Sequence, residues 1–270
     1  MLAAALLLWN LQARVPGAEN PQIAVDRVET EEPKVALTFD ACATGGQPNG
    51  FDRPTFDVIK REHLPVTVFL SGRWIEYHPE EARELAAEPF VEIGNHSYSH
   101  PHLTSINDER LADEIGRTEE LINQLGRHSV GVRPPAGLWD HRVLRTVAER
   151  NLPLVLWDVM SGDVGGHVPP ATMVENVARA IRPGSIVIFH INGRGTFTKD
   201  ALPGVLRMLN EKGLKVVPLS ELLSLPGARL ARARKAPPGA GSDVPRAPRP
   251  TPATMPVQDA SKPRAPHTAG

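Results

Sequence analysis

The chain has 270 residues, of which 41% are hydrophobic and 23% charged, and its formal net charge is −1. This is the composition of a globular protein, long enough for one large domain or two small ones. So balanced a charge gives no overall field toward nucleic acid or an anionic membrane, and the one cysteine, Cys42, excludes an intrachain disulfide.

The N-terminal "MLAAALLLWNLQA" is an apolar run with no charge before Arg14. It is too short to span a bilayer as a helix. It reads as the hydrophobic region of an export signal, with Ala13 and Ala18 as cleavage flanks, although the basic stretch that usually precedes such a region is missing. Residues 1–32 are therefore predicted to be a signal-like segment and lead-in. The chain is expected to be exported (periplasmic, secreted or associated with the cell envelope), with no stable membrane insertion.

From residue 33 to 225, short β-branched apolar runs alternate with amphipathic stretches. The runs are VALTFD (35–40), VTVFL (66–70), VEIGNH (91–96), VGVRPP (130–135), LVLWDV (154–159), SIVIFH (185–190) and LKVVPL (214–219). Their near-continuous apolarity suits strands buried on both faces of a parallel sheet. Between them, Asp52 caps a helix with Pro54 in its first turn. In NDERLADEIGRTEELINQLG, Leu111, Ile115, Ile122 and Leu125 form one apolar face and Gly126 is a stop. Asp140, Pro169/Pro170 and Thr198 mark three more helix starts, and Ser220 opens a short last helix. About seven parallel strands with intervening helices give either a (β/α) barrel of irregular closure or an open doubly wound sheet.

Residues 226–270 are dense in Pro and Ala, and from Gly227 onward carry eight Lys/Arg against two Asp, a net +6. Such a segment cannot bury enough apolar area to offset its ordering entropy, so a disordered basic tail is predicted, a solvated tether before a binder of anionic polymer.

The chemistry lies at the strand ends. The first run ends on Asp40, the third on His96, the fourth near Arg133, the fifth on Asp158 with Asp163 just beyond, and the sixth on His190. Parallel α/β folds bring the C-terminal ends of their strands to one rim, where active sites form. Left unpaired in a core, these groups would each cost several kcal/mol of desolvation.

His96 and His100 are four residues apart in NHSYSH, a spacing that lets two imidazoles face one divalent cation from a helical turn or tight loop. His102 is out of phase with them and reads as a loop histidine. His190 at the rim suits general acid–base work. Gly45, Gly46 and Gly50 suggest an open loop after Asp40, and an arginine beside Asp40 would keep it ionised. Asp158 and Asp163 compete to orient His190 through a carboxylate–imidazole hydrogen bond. Trp157 reads as core. Cys42 could be a soft ligand or reactive thiol, but reads first as a small packing residue.

TFDAC, HSYSH, RPPAG, WDVMSGD and IVIFH stand in the order and approximate spacing of the five motifs of NodB-type polysaccharide deacetylases, carbohydrate esterase family 4, and the chain resembles that family over about residues 33–225. The resemblance implies an irregular (β/α) barrel and metal-dependent removal of N- or O-acetyl groups from a polysaccharide such as chitin, peptidoglycan or xylan. It implies Asp40 as catalytic base, Arg133 as the arginine that holds it, and His96 and His100 as ligands of a divalent cation, zinc being expected. It implies His190 as general acid and Asp163 as the acid orienting it, with Asp158 the rival. The expected partner is acetylated polysaccharide, and the expected state a monomer.

Two positions depart from the family pattern. The second Asp of TFDD, its third protein ligand, is Ala41 here, and the Tyr that usually ends the third motif is Ala136. The second change is mild, because the oxyanion is held by a backbone N–H. The first leaves three options: Asp40 moves to the metal, another group fills the gap, or the metal is weak or absent. The competing reading is a glycan-binding pseudoenzyme, which Ala41 favours and which retention of Asp40, Arg133 and His190 opposes.

Overall fold

The structure, a computed structural model, describes residues 23–44, 49–164, 168–225 and 229–232. Residues 1–22, most of the tail, and Gly45 and Gly46 of the expected open loop lie outside the described residues.

In chain order the elements begin with β1 (Ala24–Glu29), β2 (Lys34–Ala41), α1 (Arg53–Arg61), β3 (Val66–Leu70), α2 (Gly72–Tyr77), α3 (Pro79–Ala87) and β4 (Val91–Asn95). Next come α4 (Asp108–Gln124), α5 (His141–Ala148), β5 (Leu154–Val155), β6 (Val159–Met160) and α6 (Pro170–Ala180). Last are β7 (Ile186–His190), α7 (Thr198–Glu211), β8 (Lys215–Val216), α8 (Leu219–Leu223) and β9 (Arg229–Arg232).

The main sheet runs β4-β3-β2-β7-β6, every pair parallel, and β8 joins the start of β2. Beyond β4 the ladder continues through single parallel bridges, Asn95 to Val132 and Val132 to Leu154, into β5, which pairs in parallel with β1. An antiparallel bridge from Arg27 to Ser185, just ahead of β7, returns the circuit to the main sheet. The result is an irregular (β/α) barrel.

The expected strand at 130–135 is reduced to the Val132 bridges, because Pro134 and Pro135 have no N–H to extend the ladder. The run at 154–159 is split into β5 and β6 by a break at Leu156–Asp158. The fold also begins before residue 33. Strand β1 contributes the buried Val25 and Val28, so its place is in the sheet and not in a lead-in. Similarly, the backbone of β9 pairs antiparallel with β1, inside the segment expected to be a structureless tail.

Helix starts follow their capping chemistry. The Asp52 carboxylate accepts from Thr55 N, and that of Asp140 from Arg142 N and Val143 N. Helix α4 stops where Gly126 adopts φ +73, the left-handed conformation Gly takes at no cost. Helices α2 and α3 had no counterpart among the expected starts. Ser71 caps the first by accepting from Trp74 N, and Pro79 begins the second directly after His78.

Strand β2 shows how the barrel is layered. Its odd residues Val35, Leu37, Phe39 and Ala41 join Phe56, Ile59, Val68, Leu202 and Val205 in the apolar layer between sheet and helices. Its even residues face the barrel interior. Ala36 lies at the foot among Val25, Val28, Val155, Ile186 and Leu222. Above it come Thr38 and then Asp40, both buried. The interior is thus a sealed apolar plug below and a polar column rising to the rim.

Candidate active site

Asp40 sits at the top of that column, 3% exposed, directly across from His190 of β7 in the strand register. Arg133, completely buried, donates from Nη1 to Asp40 Oδ1 at 2.8 Å. Its Nη2 donates to Thr38 Oγ1 at 2.8 Å and to Leu156 O at 3.1 Å. The guanidinium lies 4.1 Å from the centroid of the Phe69 ring, within cation–π range. Phe69 has room there because its register partner on β4 is Gly94, where a Cβ would come within 2.4 Å of the ring. Burial alone would raise the Asp40 pKa. The Arg133 guanidinium and smaller contributions from His96 and His190 together offset it and hold the carboxyl below the ordinary aspartate range, so Asp40 is a buried anion at neutral pH.

His96 follows directly on β4. Its Nδ1 lies 2.8 Å from Arg133 O, and a carbonyl can only accept, so Nδ1 carries the proton. The lone pair is therefore on Nε2, which points at Asp40 Oδ2, 3.5 Å away. Backbone-anchored imidazoles of this kind are the usual arrangement of metal-ligating histidines. Its ring centroid is 5.0 Å from that of His100. The two are presented by a tight loop, not a helical turn, since Ser97 and His100 have left-handed φ of 60 and 59. Burial drives both imidazole pKa values down, that of His100 to about 3, so both are neutral donors at physiological pH.

Glu114 of α4 holds this loop, although its sequence context gave it no role beyond the helix. It is fully buried and accepts from Tyr98 N at 3.0 Å, Ser99 N at 2.7 Å, Ser99 Oγ at 2.5 Å and Arg110 Nε at 3.0 Å. Glu114→Ala would strand two backbone donors. It is expected to cost about 1–3 kcal/mol in denaturant unfolding, the usual penalty for unsatisfied buried groups, and to weaken metal binding by loosening His100.

On the other side of Asp40, the His190 Nδ1 lies 3.1 Å from Asp163 Oδ1. Asp163 also accepts from His190 N at 2.6 Å and from Thr198 Oγ1 at 3.2 Å. Gly195 keeps the space open, since a Cβ there would meet Thr198 Oγ1 at 2.3 Å and Asp163 Oδ2 at 2.9 Å. Asp158, the rival, is elsewhere. It precedes β6 at the foot of the sheet, where its carboxylate accepts from Ser185 Oγ at 3.0 Å and Ile186 N at 2.9 Å. The chain break between β5 and β6 is the reason: Asp158 starts a strand, and only Asp163, past the strand's end, reaches the rim.

The third motif ends with Ala136 exposed in the left-handed region, φ 55, within a turn that follows Pro134 and Pro135. Trp157 belongs to the interior, with its ring 5.5 Å from the Arg133 guanidinium. His102 is in the loop before Leu103 and takes no part in the cluster.

The geometry departs from expectation at Cys42. Continuing the alternation of β2, it shares the interior face with Thr38 and Asp40, and its Sγ, one nitrogen of His96 and one of His100 all lie within 4.8 Å of one another. Among the described residues these three are the metal-donor side chains that converge. Two imidazoles and a sulfur are a donor set that suits a divalent transition-metal ion.

The family model for polysaccharide deacetylases matches residues 27–155. A peptidoglycan-N-acetylglucosamine deacetylase of Bacillus cereus is 33% identical over 192 residues, covering 70% of this chain and 68% of the relative. This chain belongs to the polysaccharide deacetylase family. A chitooligosaccharide deacetylase of Bradyrhizobium is 31% identical over 208 residues, covering 70% of this chain and 90% of the relative. Among solved structures, a mutant of a CE4 family pseudoenzyme from Bacillus anthracis, described as having restored enzymatic activity, matches with TM-score 0.67 and 26% identity over 74% of this chain and 71% of that one. The irregular barrel with its parallel strands is thus the fold of family 4 carbohydrate esterases.

Proposed function

We propose that this chain is a metal-dependent hydrolase that removes acetyl groups, N-acetyl before O-acetyl, from a polysaccharide such as peptidoglycan or a chitin-like glycan. The observation that carries the reading is the pair of opposed proton carriers on β2 and β7. A carboxylate held ionised by a buried arginine stands across from an imidazole held by a second carboxylate. Binding a sugar requires neither.

His96 and His100 would be among the residues holding a divalent cation, with zinc the proposed metal, which when bound would supply polarisation of the acyl carbonyl and activation of the attacking water. Asp40, kept ionised by Arg133, takes the proton from that water. The developing oxyanion is met by the Ala136 N–H, for which the backbone suffices. His190, with its ring fixed by Asp163, delivers a proton to the leaving amine. The N-terminal segment and the peptidoglycan deacetylases among the relatives favour an exported enzyme acting on an envelope polysaccharide, and we propose that it acts as a monomer. Among the described residues no helix is long and apolar enough to cross a membrane.

Acetate release from N-acetylated peptidoglycan fragments, chitooligosaccharides and acetylxylan tests the reading. Release from none of them by metal-loaded protein would leave the pseudoenzyme, which Ala41 alone favours. Substitutions at the two acids near β7 separate their roles. Asp163→Asn is expected to lower kcat by about 10²-fold or more, the usual scale of acid–base catalysis. Asp158→Asn is expected to leave kcat within about twofold while lowering stability by about 1–3 kcal/mol, because the amide keeps a single acceptor oxygen and leaves either Ser185 Oγ or Ile186 N unpaired. Steady-state kinetics and denaturant unfolding of both variants check this.

A further inference from the structure

We infer that Cys42, as a thiolate, is the third protein ligand of the metal site, and that it makes the site selective for zinc over magnesium, calcium and manganese. The inference rests on the reading of His96 and His100 as metal ligands. It concerns what fills the place that a second strand-end acid would take.

Ala41 has no donor atom and cannot fill it. The period of β2 puts Ala41 on the outer face, completely buried in the apolar layer with Phe39 and Val68. Asp40 has the right face but is already committed. Its Oδ1 is the partner of a completely buried guanidinium, and placing Oδ2, 3.5 Å from His96 Nε2, on the metal would remove the free carboxylate oxygen that serves as base opposite His190. Cys42 is the next residue on the interior face. Its Sγ is within 4.8 Å of the donor nitrogens of both histidines. Ligands on zinc at 2.0–2.3 Å stand roughly 3.3–3.7 Å apart, so the trio needs to close by about 1 Å.

In the metal-free site burial and the Asp40 charge push the Cys42 thiol up to about 12, so the thiolate forms only against a bound cation. Asn192 Nδ2 donates to Cys42 Sγ at 3.2 Å and to Cys42 O at 2.9 Å, and Asn49 Nδ2 donates to the same carbonyl at 2.7 Å. An amide N–H aimed at a ligand sulfur is the kind of outer contact that orients metal ligands. On binding, the metal–sulfur bond replaces the S–H bond and the proton leaves to solvent. One thiolate and two neutral imidazoles leave a dication with a residual positive charge, so its polarising capacity survives. A soft sulfur in the set disfavours the hard, oxygen-seeking cations.

The test loads the full, metal-free chain with Co(II) or Zn(II). Cobalt-loaded wild type is expected to show a near-ultraviolet sulfur-to-cobalt charge-transfer band. X-ray absorption of the zinc form should show one sulfur neighbour at about 2.3 Å. Cys42→Ser should abolish the band and weaken zinc binding by at least about tenfold, since losing even an outer partner costs that much. Asp40→Asn should keep the band. Metal bound by wild type with no sulfur in its shell would overturn the inference and leave the proposed deacetylase standing, with Asp40 the ligand to examine. Absence of stoichiometric binding of either metal, together with no acetate release, would overturn both. Because the spectroscopic readouts need only wild-type protein, they decide the matter even if Cys42→Ser fails to fold.

Discussion

Asp40→Asn is expected to lower kcat by about 10²–10⁴-fold, the range attributed to a positioned base, while metal content stays at the wild-type level. The substitution is nearly isosteric. The amide oxygen can still accept from Arg133, and position 42 is untouched. What disappears is the negative charge and with it the ability to take a proton from water. KM should change little, because the loss falls on a step made only in the transition state. Kinetics on an N-acetylated chitooligosaccharide, with metal content measured on the same samples, checks both halves. A variant that loses metal and rate together would make Asp40 a ligand and send the search for the base elsewhere.

The sequence makes the rim legible because the code for it is local. Asp40, His96 and His190 each stand at the end of an apolar run, and the strand period alone puts them at one end of a parallel sheet. Arg133 is legible at the end of its run, although the run itself is reduced to a bridge at Val132; its role as partner of Asp40 comes from the family motif. The residue pattern by itself leaves Asp158 and Asp163 open, and only the family motif favours Asp163. Choosing between them on physical grounds requires knowing that the chain breaks after Val155 and restarts at Val159, a decision of tertiary packing. Cys42 was legible and outweighed. Counting by two from Thr38 reaches Asp40 and then Cys42, but a lone cysteine is more often packing than ligand, and its two histidine neighbours arrive from a loop more than fifty residues on. Glu114 could not be read at all. On its helix it is one of several acids, and only the fold brings the Tyr98 and Ser99 amides onto it. Strand β1 was missed because its run, AVDRVE, is interrupted by charges at Asp26 and Arg27 and lacks the continuous apolarity of the inner strands.

Arg133→Met is expected to destabilise the metal-free protein by about 3–5 kcal/mol at neutral pH, the cost of leaving one member of a buried ion pair alone. Methionine replaces much of the side-chain volume against Phe69 and Trp157, so the loss is largely electrostatic: Asp40 becomes a buried carboxylate with no cation. The double variant Asp40→Asn, Arg133→Met should recover a large part of that loss, because it removes the uncompensated charge. The pH dependence distinguishes this account from simple loss of packing. In wild type the folded Asp40 pKa is below the usual value of 3.8. Its contribution to stability is therefore present above 3.8 and is lost as pH falls through the lower, folded value. In Arg133→Met burial acts without the cation, so the folded pKa rises above the unfolded one. The neutral carboxyl is then tolerated in acid, and stability is lost as pH climbs through the raised value. The gap between wild type and variant should accordingly be widest at neutral pH and narrow toward pH 4, and the double variant should show no such narrowing. Denaturant unfolding of the three proteins at pH 4 and 7, with chelator present throughout, measures this. A gap that stays constant between the two pH values would mean that Arg133 acts by filling space and not by holding Asp40 ionised.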